Sequence, residues 1–210
     1  MQVALTCLAA TITTWAAAAA DDRTVSDSVC ADSVVIDSVR YAVPSPWCGH
    51  ALDSGEWAEP ADLKRLPERL CHQGFKIYVD SSAATAFVRM ADSAAAAGAG
   101  LMVQSGYRSP RYQRKVILKR MKEGKSFAEV ARYVAPPGYS EHHTGRAMDV
   151  VCSGGGKTAF AASSCYPWLK ENASRFGFFE TYPRESPGGI PWEPWHWMYH
   201  PDSMQNGDTR

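Results

Sequence analysis

The apolar positions along residues 76–200 alternate between helical spacing and strand spacing. Helical spacing predicts four helices, over residues 81–97, 110–124, from 126 towards the prolines at 136–137, and 164–176. Ser81 or Ser82 can cap the first of these, Pro110 suits the first position of the second, and Ser126 opens a capping box for the third. We therefore expect short helices with well-defined ends.

Shorter apolar runs between these helices predict strands, over residues 76–79, 101–104, 147–151, 178–182 and 195–199. Helices and strands are mixed along the chain, and the connections suit hairpin-like returns. This order predicts the α+β class, with a small antiparallel sheet and flanking helices.

The first 20 residues predict a signal peptide. Residues 3–20 carry no charge, and the alanines at 18–20 give the small-x-small pattern of a signal-peptidase site. No Lys or Arg follows Met1, so an uncleaved membrane anchor is the alternative. We expect export to the periplasm or secretion, with no stable membrane insertion after cleavage.

Residues 21–75 predict an irregular, cysteine-containing N-terminal extension, and residues 203–210 a C-terminal tail. The only helical pattern in the extension spans residues 60–70, where Leu63, Leu66 and Leu70 share one face.

The cysteines support export. Of six, Cys7 lies in the signal segment, and the odd number that remains leaves one thiol unpaired. Cys152 and Cys165 flank a short Gly/Ser loop and are the first-choice disulfide, and Cys48 with Cys71 is the second. No pair has the C-x-x-C spacing of thioredoxin-like or many structural zinc sites.

Charge and composition exclude some classes of partner. Lys+Arg and Asp+Glu balance at 22 each, so no excess charge indicates binding to nucleic acid or to an anionic membrane surface. A chain of 210 residues with 45% hydrophobic residues suits one compact domain with a short appendage. We expect a monomer.

Candidate metal ligands cluster in residues 140–149 and recur downstream. His142, His143 and Asp149 lie in this segment, and His196 follows later. Gly145 disfavours a helix, so a loop would present one histidine and the following strand the aspartate. Three protein ligands leave a fourth position for water, as hydrolytic zinc requires. The spacing alone leaves open which of the two adjacent histidines is the ligand.

Two further residues have types suited to hydrolysis. Glu193 lies three residues before His196 and could accept a proton near a metal. Arg108, in a Gly-Tyr-Arg-Ser turn at a strand end, could hold a carboxylate or an oxyanion, and Gln113 could reach the same cleft. Lys157 follows a glycine run that resembles a phosphate-binding loop, but the required earlier glycine is absent.

Three motifs in this order resemble the D-alanyl-D-alanine carboxypeptidases of the VanY type. They are Ser-Gly-Tyr-Arg-Ser at 105–109 with Gln113, Ser-x-His-x-x-Gly-x-Ala-x-Asp at 140–149, and Glu-Pro-Trp-His at 193–196. The resemblance covers roughly residues 76–200. The family belongs to the zinc peptidases grouped with lysostaphin and the hedgehog amino-terminal domain.

The resemblance implies a Zn2+ site in a cleft on the sheet, within a carboxypeptidase domain over residues 76–202. It implies His142, Asp149 and His196 as the zinc ligands, because the position of His143 varies in the family pattern. It also implies Glu193 as the general base and Arg108 as the group that stabilises the oxyanion.

For the substrate, the resemblance implies peptidoglycan stem peptides that end in D-Ala-D-Ala. Ser140 and Gln113 would hold the terminal part, and Trp195 would line the pocket. Arg146 stands where the family more often has an apolar residue. An L,D-carboxypeptidase, a peptidoglycan endopeptidase and a non-catalytic zinc-containing cell-wall binding module remain as alternatives.

Overall fold

The computed structural model describes residues 31–186 and 188–201, so the predicted signal peptide and C-terminal tail lie outside the described residues. The strands are β1 Ser33–Ile36, β2 Val39–Ala42, β3 Leu63–Arg65, β4 Tyr78–Asp80, β5 Leu101–Ser105, β6 Ala147–Cys152, β7 Phe178–Glu180 and β8 His196–Tyr199. The α-helices are α1 Ser81–Ala96, α2 Pro110–Lys122, α3 Phe127–Ala131, α4 Lys157–Phe160 and α5 Cys165–Asn172. Among the described helices, none has the length and apolar character needed to cross a membrane.

A four-stranded antiparallel sheet in the order β5-β6-β8-β7 forms the centre of the fold. Along β6, Met148 and Val150 enter the main hydrophobic core, together with Phe87 of α1 and Leu169 of α5. Side chains alternate along a strand, so Asp149 points to the opposite face. The predicted α+β class with a small antiparallel sheet is confirmed.

The predicted helices are present, with small changes at their ends. Asp80, rather than the predicted serines, caps α1 by accepting hydrogen bonds from the backbone of Ser82 and Ala83. The fourth helix is α-helical only to Asn172 and continues as a 3-10 turn. The capping box at Ser126 is confirmed.

The N-terminal segment, residues 31–47, packs against α2 and α3. Ile36 of β1 shares a small core with Ile117 and Phe127, and the Tyr41 ring stacks on Phe127 with centroids 4.6 Å apart. Trp47 donates a hydrogen bond from its indole to the carbonyl of Ala131. Residues 31–47 therefore cover these two helices with apolar surface.

The predicted helix over residues 60–70 is wrong. Leu63–Arg65 forms β3, which pairs with β4, and short 3-10 turns lie on either side. Pairing with β4 satisfies backbone groups that a helix would use internally, and Pro67 has no N–H to donate. Leu66 and Leu70 are still buried in the main core, so the apolar pattern reflected burial rather than a helix.

Of the two predicted disulfides, one is present and one is not. The Cys152–Cys165 disulfide is confirmed. The Cys48–Cys71 pair is wrong, because Cys48 is in a disulfide and Cys71 is a free thiol. Cys71 is buried beside β5, where its backbone forms an isolated β-bridge with Val103. The thiol of Cys71 therefore lies inside the core.

Candidate metal centre and catalytic cleft

Three buried side chains converge on the open face of the central sheet. Asp149 and His196 are directly opposite each other in the register of β6 and β8, so both point to the same face. His142 comes from the 3-10 turn Glu141–Thr144, just before β6. One ligand atom from each of the three lies within 4.8 Å of the others. The group has the donors and spacing of a three-ligand metal site.

Gly145 makes the turn that joins His142 to β6. Its φ of +70° is left-handed, and an added Cβ would lie 3.1 Å from the backbone nitrogen of Asp80 and 3.0 Å from Leu63. The carbonyl of Gly145 accepts a hydrogen bond from Asp80 at 2.9 Å. Glycine therefore lets the turn pack against β3 and β4 while His142 faces the sheet.

The protonation of His142 suits a metal ligand. Its Nδ1 donates to the carbonyl of Gly106 at 2.7 Å, which leaves the lone pair on Nε2. Among the described residues, this buried Nε2 has no hydrogen-bond partner, although it lies 3.4 Å from Asp149 Oδ1. Burial, with the charge of Arg108, lowers the pKa of His142 to about 3. An orphaned neutral nitrogen that faces a carboxylate fits a metal ion between them.

His196 is oriented by a carboxylate that the sequence reasoning missed. Its Nε2 donates to Glu141 Oε2 at 2.8 Å, and its Nδ1 lies 3.3 Å from Asp149 Oδ1. Burial alone would lower the pKa of His196, but these two carboxylates outweigh it and raise the pKa to about 10. Thr181 also donates to Glu141, at 2.9 Å. Glu141 therefore holds His196 with Nδ1 directed at the cluster.

Asp149 is held by a lysine outside the predicted site. Lys157 Nζ donates to Asp149 Oδ2 at 2.6 Å, which leaves Oδ1 facing the histidines. Burial would raise the pKa of Asp149, but its contacts with the two histidines and the charge of Lys157 outweigh burial and hold the pKa well below its usual range. Lys157 also lies 5.6 Å from the centre of the Trp195 ring. The sequence offered no indication of these contacts.

His143 points away from the cluster. Its Nδ1 donates to the carbonyl of Arg108 at 2.6 Å, and its Nε2 accepts from the backbone of Gly138 at 3.1 Å. Both ring nitrogens are thus occupied by backbone groups. His143 fixes the loop of Arg108 to the 140–149 segment and belongs to no metal site.

Glu193 and Arg108 lie beside the cluster on two loops. Glu193 Oε2 is 3.8 Å from His196 Nδ1, and burial raises the pKa of the Glu193 carboxyl. The backbone of Glu193 donates to the carbonyl of Tyr182 at 3.0 Å, and that of Arg108 to the carbonyl of His142 at 3.1 Å. Both side chains are therefore placed by backbone hydrogen bonds next to the three candidate ligands.

All of the site residues that the sequence and the resemblance indicated line one cavity of about 340 Å³, namely Arg108, Gln113, Ser140, His142, Asp149, Glu193, Trp195 and His196. Gln113 is buried, and its Nε2 donates to the carbonyl of Ala135 at 2.8 Å. Its Oε1 has no partner among the described residues. Gln113 therefore offers the cavity an acceptor.

Two aromatic residues of the cavity wall, Trp47 and Tyr182, were indicated neither by the sequence motifs nor by the resemblance. The Tyr182 ring lies 4.8 Å from the His196 ring, and Trp47 meets Tyr182 edge to face at 6.2 Å. Trp47 belongs to the N-terminal segment, far from the motifs in sequence, and no local pattern connects it to them. The segment that precedes the resemblance thus contributes to the cleft.

Comparison with known proteins agrees with this geometry. The family described as D-alanyl-D-alanine carboxypeptidase (VanY) matches residues 76–202. The D-alanyl-D-alanine carboxypeptidase of Enterococcus faecalis is 36% identical over 118 residues, which is 51% of this chain and 43% of that protein. The enzyme of the same description from Enterococcus faecium is 33% identical over 126 residues, covering 59% and 38%. The chain spans less than half the length of these relatives.

Solved structures give the same grouping. The LdcB LD-carboxypeptidase is 31% identical, with a TM-score of 0.61 over 80% of this chain and 83% of that one. A mutant of the vancomycin resistance D,D-pentapeptidase VanY, in complex with Zn(II), is 30% identical, with a TM-score of 0.51 over 65% and 77%. With the family match over more than half of its length, this chain belongs to the VanY family of D-alanyl-D-alanine carboxypeptidases.

Proposed function

We propose that the protein is a zinc-dependent D,D-carboxypeptidase that hydrolyses the terminal D-Ala-D-Ala bond of peptidoglycan stem peptides. One observation carries this proposal. The Glu193 carboxylate lies 3.8 Å from His196 Nδ1, next to a three-ligand cluster to which it does not belong. A separate carboxylate beside an open metal position is what a hydrolytic proton transfer needs.

The zinc donors follow from the hydrogen bonds around the cluster. His142 would bind through Nε2 and His196 through Nδ1, because the other nitrogen of each ring is bonded to Gly106 and Glu141. Binding at His196 would require loss of the proton on Nδ1, since the two carboxylates raise the pKa of the free ring. Asp149 would bind through Oδ1, since Oδ2 accepts from Lys157. When bound, zinc supplies Lewis acidity, which polarises the scissile carbonyl and lowers the pKa of water.

Glu193 performs the proton transfers. Its carboxylate takes a proton from the attacking water and then gives it to the nitrogen of the departing D-alanine, so the proton count balances. Burial raises the pKa of Glu193, which moves the carboxyl towards the pH at which it can act in both directions.

Arg108 stabilises the negative charge that develops on the carbonyl oxygen during attack. Its Nε is buried without a partner among the described residues, so the guanidinium retains a donor for this oxygen. Gln113 and Ser140 hold the terminal part of the substrate, and the acceptor of Gln113 suits a substrate N–H. Trp195, with Lys157 near its face, forms part of the cavity wall.

We place this activity outside the cytoplasm, in the periplasm or the extracellular space. The Cys152–Cys165 disulfide supports this, because disulfides persist in oxidising compartments. Its partner is the stem peptide, and it binds no nucleic acid. The protein acts as a monomer that is not stably inserted in the membrane after its signal peptide is cleaved.

A second candidate is L,D-carboxypeptidase activity, with a stem tetrapeptide as substrate. The similarity to the LdcB LD-carboxypeptidase favours it, since that match covers 80% of this chain. Both reactions would use the same metal centre and the same base.

The test compares three substrates directly. Zinc-loaded protein is incubated with a stem pentapeptide, a stem tetrapeptide and a cross-linked dimer, and the products are identified by mass spectrometry. We expect loss of one alanine from the pentapeptide. Shortening of the tetrapeptide alone would assign the L,D activity, and cleavage of the dimer alone an endopeptidase. No cleavage of any substrate, or full activity in Glu193→Gln, would refute the proposal.

A further inference from the structure

A second cavity, of about 690 Å³, lies next to the catalytic cleft and has an aromatic lining. Phe75, Tyr78 and Tyr112 line it, with 46%, 45% and 55% of their surfaces exposed. In the part of the chain that the structure describes, these are three of the five exposed aromatic side chains. Exposed aromatic rings that cluster in one concavity indicate a binding surface, whereas single exposed rings do not. We call this cavity the aromatic groove.

The aromatic groove and the catalytic cleft share one wall, the loop over residues 105–109. On one side of this loop, the carbonyl of Gly106 accepts the hydrogen bond from His142. On the other side, the backbone of Tyr107 donates to the carbonyl of Tyr78 at 2.7 Å. Arg108 lines both cavities. The groove therefore adjoins the site that would hold the scissile bond, with Arg108 between them.

Gly106 keeps this shared wall thin. A Cβ at this position would lie 2.6 Å from the carbonyl oxygen of Tyr78 and 2.7 Å from Val79. No side chain fits there, so β4 packs directly on the loop that carries Arg108. The aromatic residue of β4 and the catalytic loop are thus held at a fixed distance from each other.

The remaining lining is mixed. Lys76, Ser105 and Ser109 contribute polar groups, and Leu63 and Ile77 contribute apolar side chains. Aromatic faces suit the C–H faces of a pyranose ring, while hydroxyl and ammonium groups bond its oxygens and acetamide. This mixture fits an N-acetylated sugar, because a pyranose ring presents apolar C–H faces and an acetamide methyl together with polar oxygens.

Building on the proposed function, we propose that the aromatic groove binds the N-acetylated disaccharide to which a peptidoglycan stem peptide is attached. An extended chain spans about 3.3–3.6 Å per residue. A stem whose terminal bond lies at the metal centre can therefore run past Arg108 and place its sugar end in the adjoining groove.

The first test separates sugar from peptide. The kcat/KM of the wild-type protein is measured for a free stem pentapeptide and for the same peptide attached to its disaccharide. We expect the disaccharide to raise kcat/KM about tenfold, mainly through KM, as two ring contacts would supply. In the Phe75→Ala/Tyr112→Ala variant this advantage should disappear, while turnover of the free peptide stays unchanged.

Phe179→Ala is the matched control, because Phe179 is an exposed aromatic residue on β7 that does not line the groove. It should retain the full preference for the disaccharide. Equal kcat/KM for the two substrates in the wild-type protein would overturn the proposal. So would a preference that the double variant retains.

The second test does not depend on catalysis. The disaccharide alone, without a peptide, is titrated into the zinc-loaded protein, and binding is followed by NMR. We expect saturable binding to the wild-type protein and to Phe179→Ala, and none to the double variant. Absence of binding to the wild-type protein would refute the sugar site. Sugar binding without cleavage of any stem peptide would instead refute the proposed function and support the sugar site in the aromatic groove.

Discussion

The side chains in and around the candidate metal centre come from strands and from loops, and we expect the two groups to affect metal binding and turnover differently. Asp149 and His196 come from neighbouring strands, where the ladder of β6 and β8 sets their positions. Arg108 and Glu193 come from loops, which backbone hydrogen bonds to His142 and Tyr182 hold in place. The strands thus place two of the three candidate ligands, and the loops place the groups that would move protons and charge.

This division gives a simple expectation. Changes at the candidate ligands should remove the metal and the activity together, whereas changes at Arg108 or Glu193 should remove turnover and leave the metal bound. The largest expected effect tests the strand side.

Asp149→Ala should abolish zinc binding and lower activity by more than about 1,000-fold, because an open two-histidine site cannot hold the metal. Metal content by atomic emission and the stem-peptide assay measure the two losses. Asp92→Ala is the control, since Asp92 forms only an exposed ion pair with Arg69 and should cost little. Stoichiometric zinc in Asp149→Ala would contradict the division between strands and loops.

Glu193→Gln should lower kcat by about 100- to 10,000-fold and keep zinc content unchanged, since the amide cannot take a proton. Zinc analysis and steady-state kinetics on the pentapeptide measure both quantities. Glu185→Gln changes an exposed carboxylate of the same loop and should behave as wild type. A loss of zinc in Glu193→Gln would show that this loop also controls the metal.

Cys152→Ala/Cys165→Ala tests how firmly the end of β6 is held. The disulfide closes 13 residues of sequence, so its loss should lower the free energy of unfolding by about 3 kcal/mol. Denaturant titration under non-reducing conditions measures the change. Cys71→Ala removes a cysteine outside any disulfide and controls for the substitution itself. Equal losses in both variants would mean that the disulfide contributes nothing specific.

Glu141→Gln should have the smallest effect, a fall in zinc affinity of about 10- to 100-fold with most turnover kept at saturating zinc. Glutamine can still accept from His196, but it lacks the charge that favours the metal-bound ring. Competition with a chelator measures the affinity. Thr181→Val removes only one donor to Glu141 and should weaken binding less. Unchanged affinity in Glu141→Gln would limit the metal site to its three ligands.

The features that the sequence predicted are those encoded locally. The spacing of apolar residues and the capping box at Ser126 indicated helices, because those interactions lie within a few residues. The disulfide between Cys152 and Cys165 also closes over a short loop. The motifs and the resemblance named residues that the structure brings together around one cavity, although their catalytic roles stay predictions.

The features that the sequence missed depend on contacts between distant residues. The apolar face of residues 60–70 looked helical, yet β4 pairs with Leu63–Arg65 and satisfies its backbone. Glu141 directly precedes the candidate ligand His142, but it orients His196, which lies on β8 far away in sequence. Lys157 and Trp47 contact the site only after the chain has folded. No spacing rule identifies such partners.

The pairing of Asp149 with His196 has a consequence for folding quality. A slip of one residue between β6 and β8 would turn the side chains of one strand to the other face and separate the two ligands. A misregistered molecule would have no place for the ion. Metal occupancy would therefore report whether the central sheet has assembled in its native register, and the ion would act as a selective stabiliser of correctly folded chains.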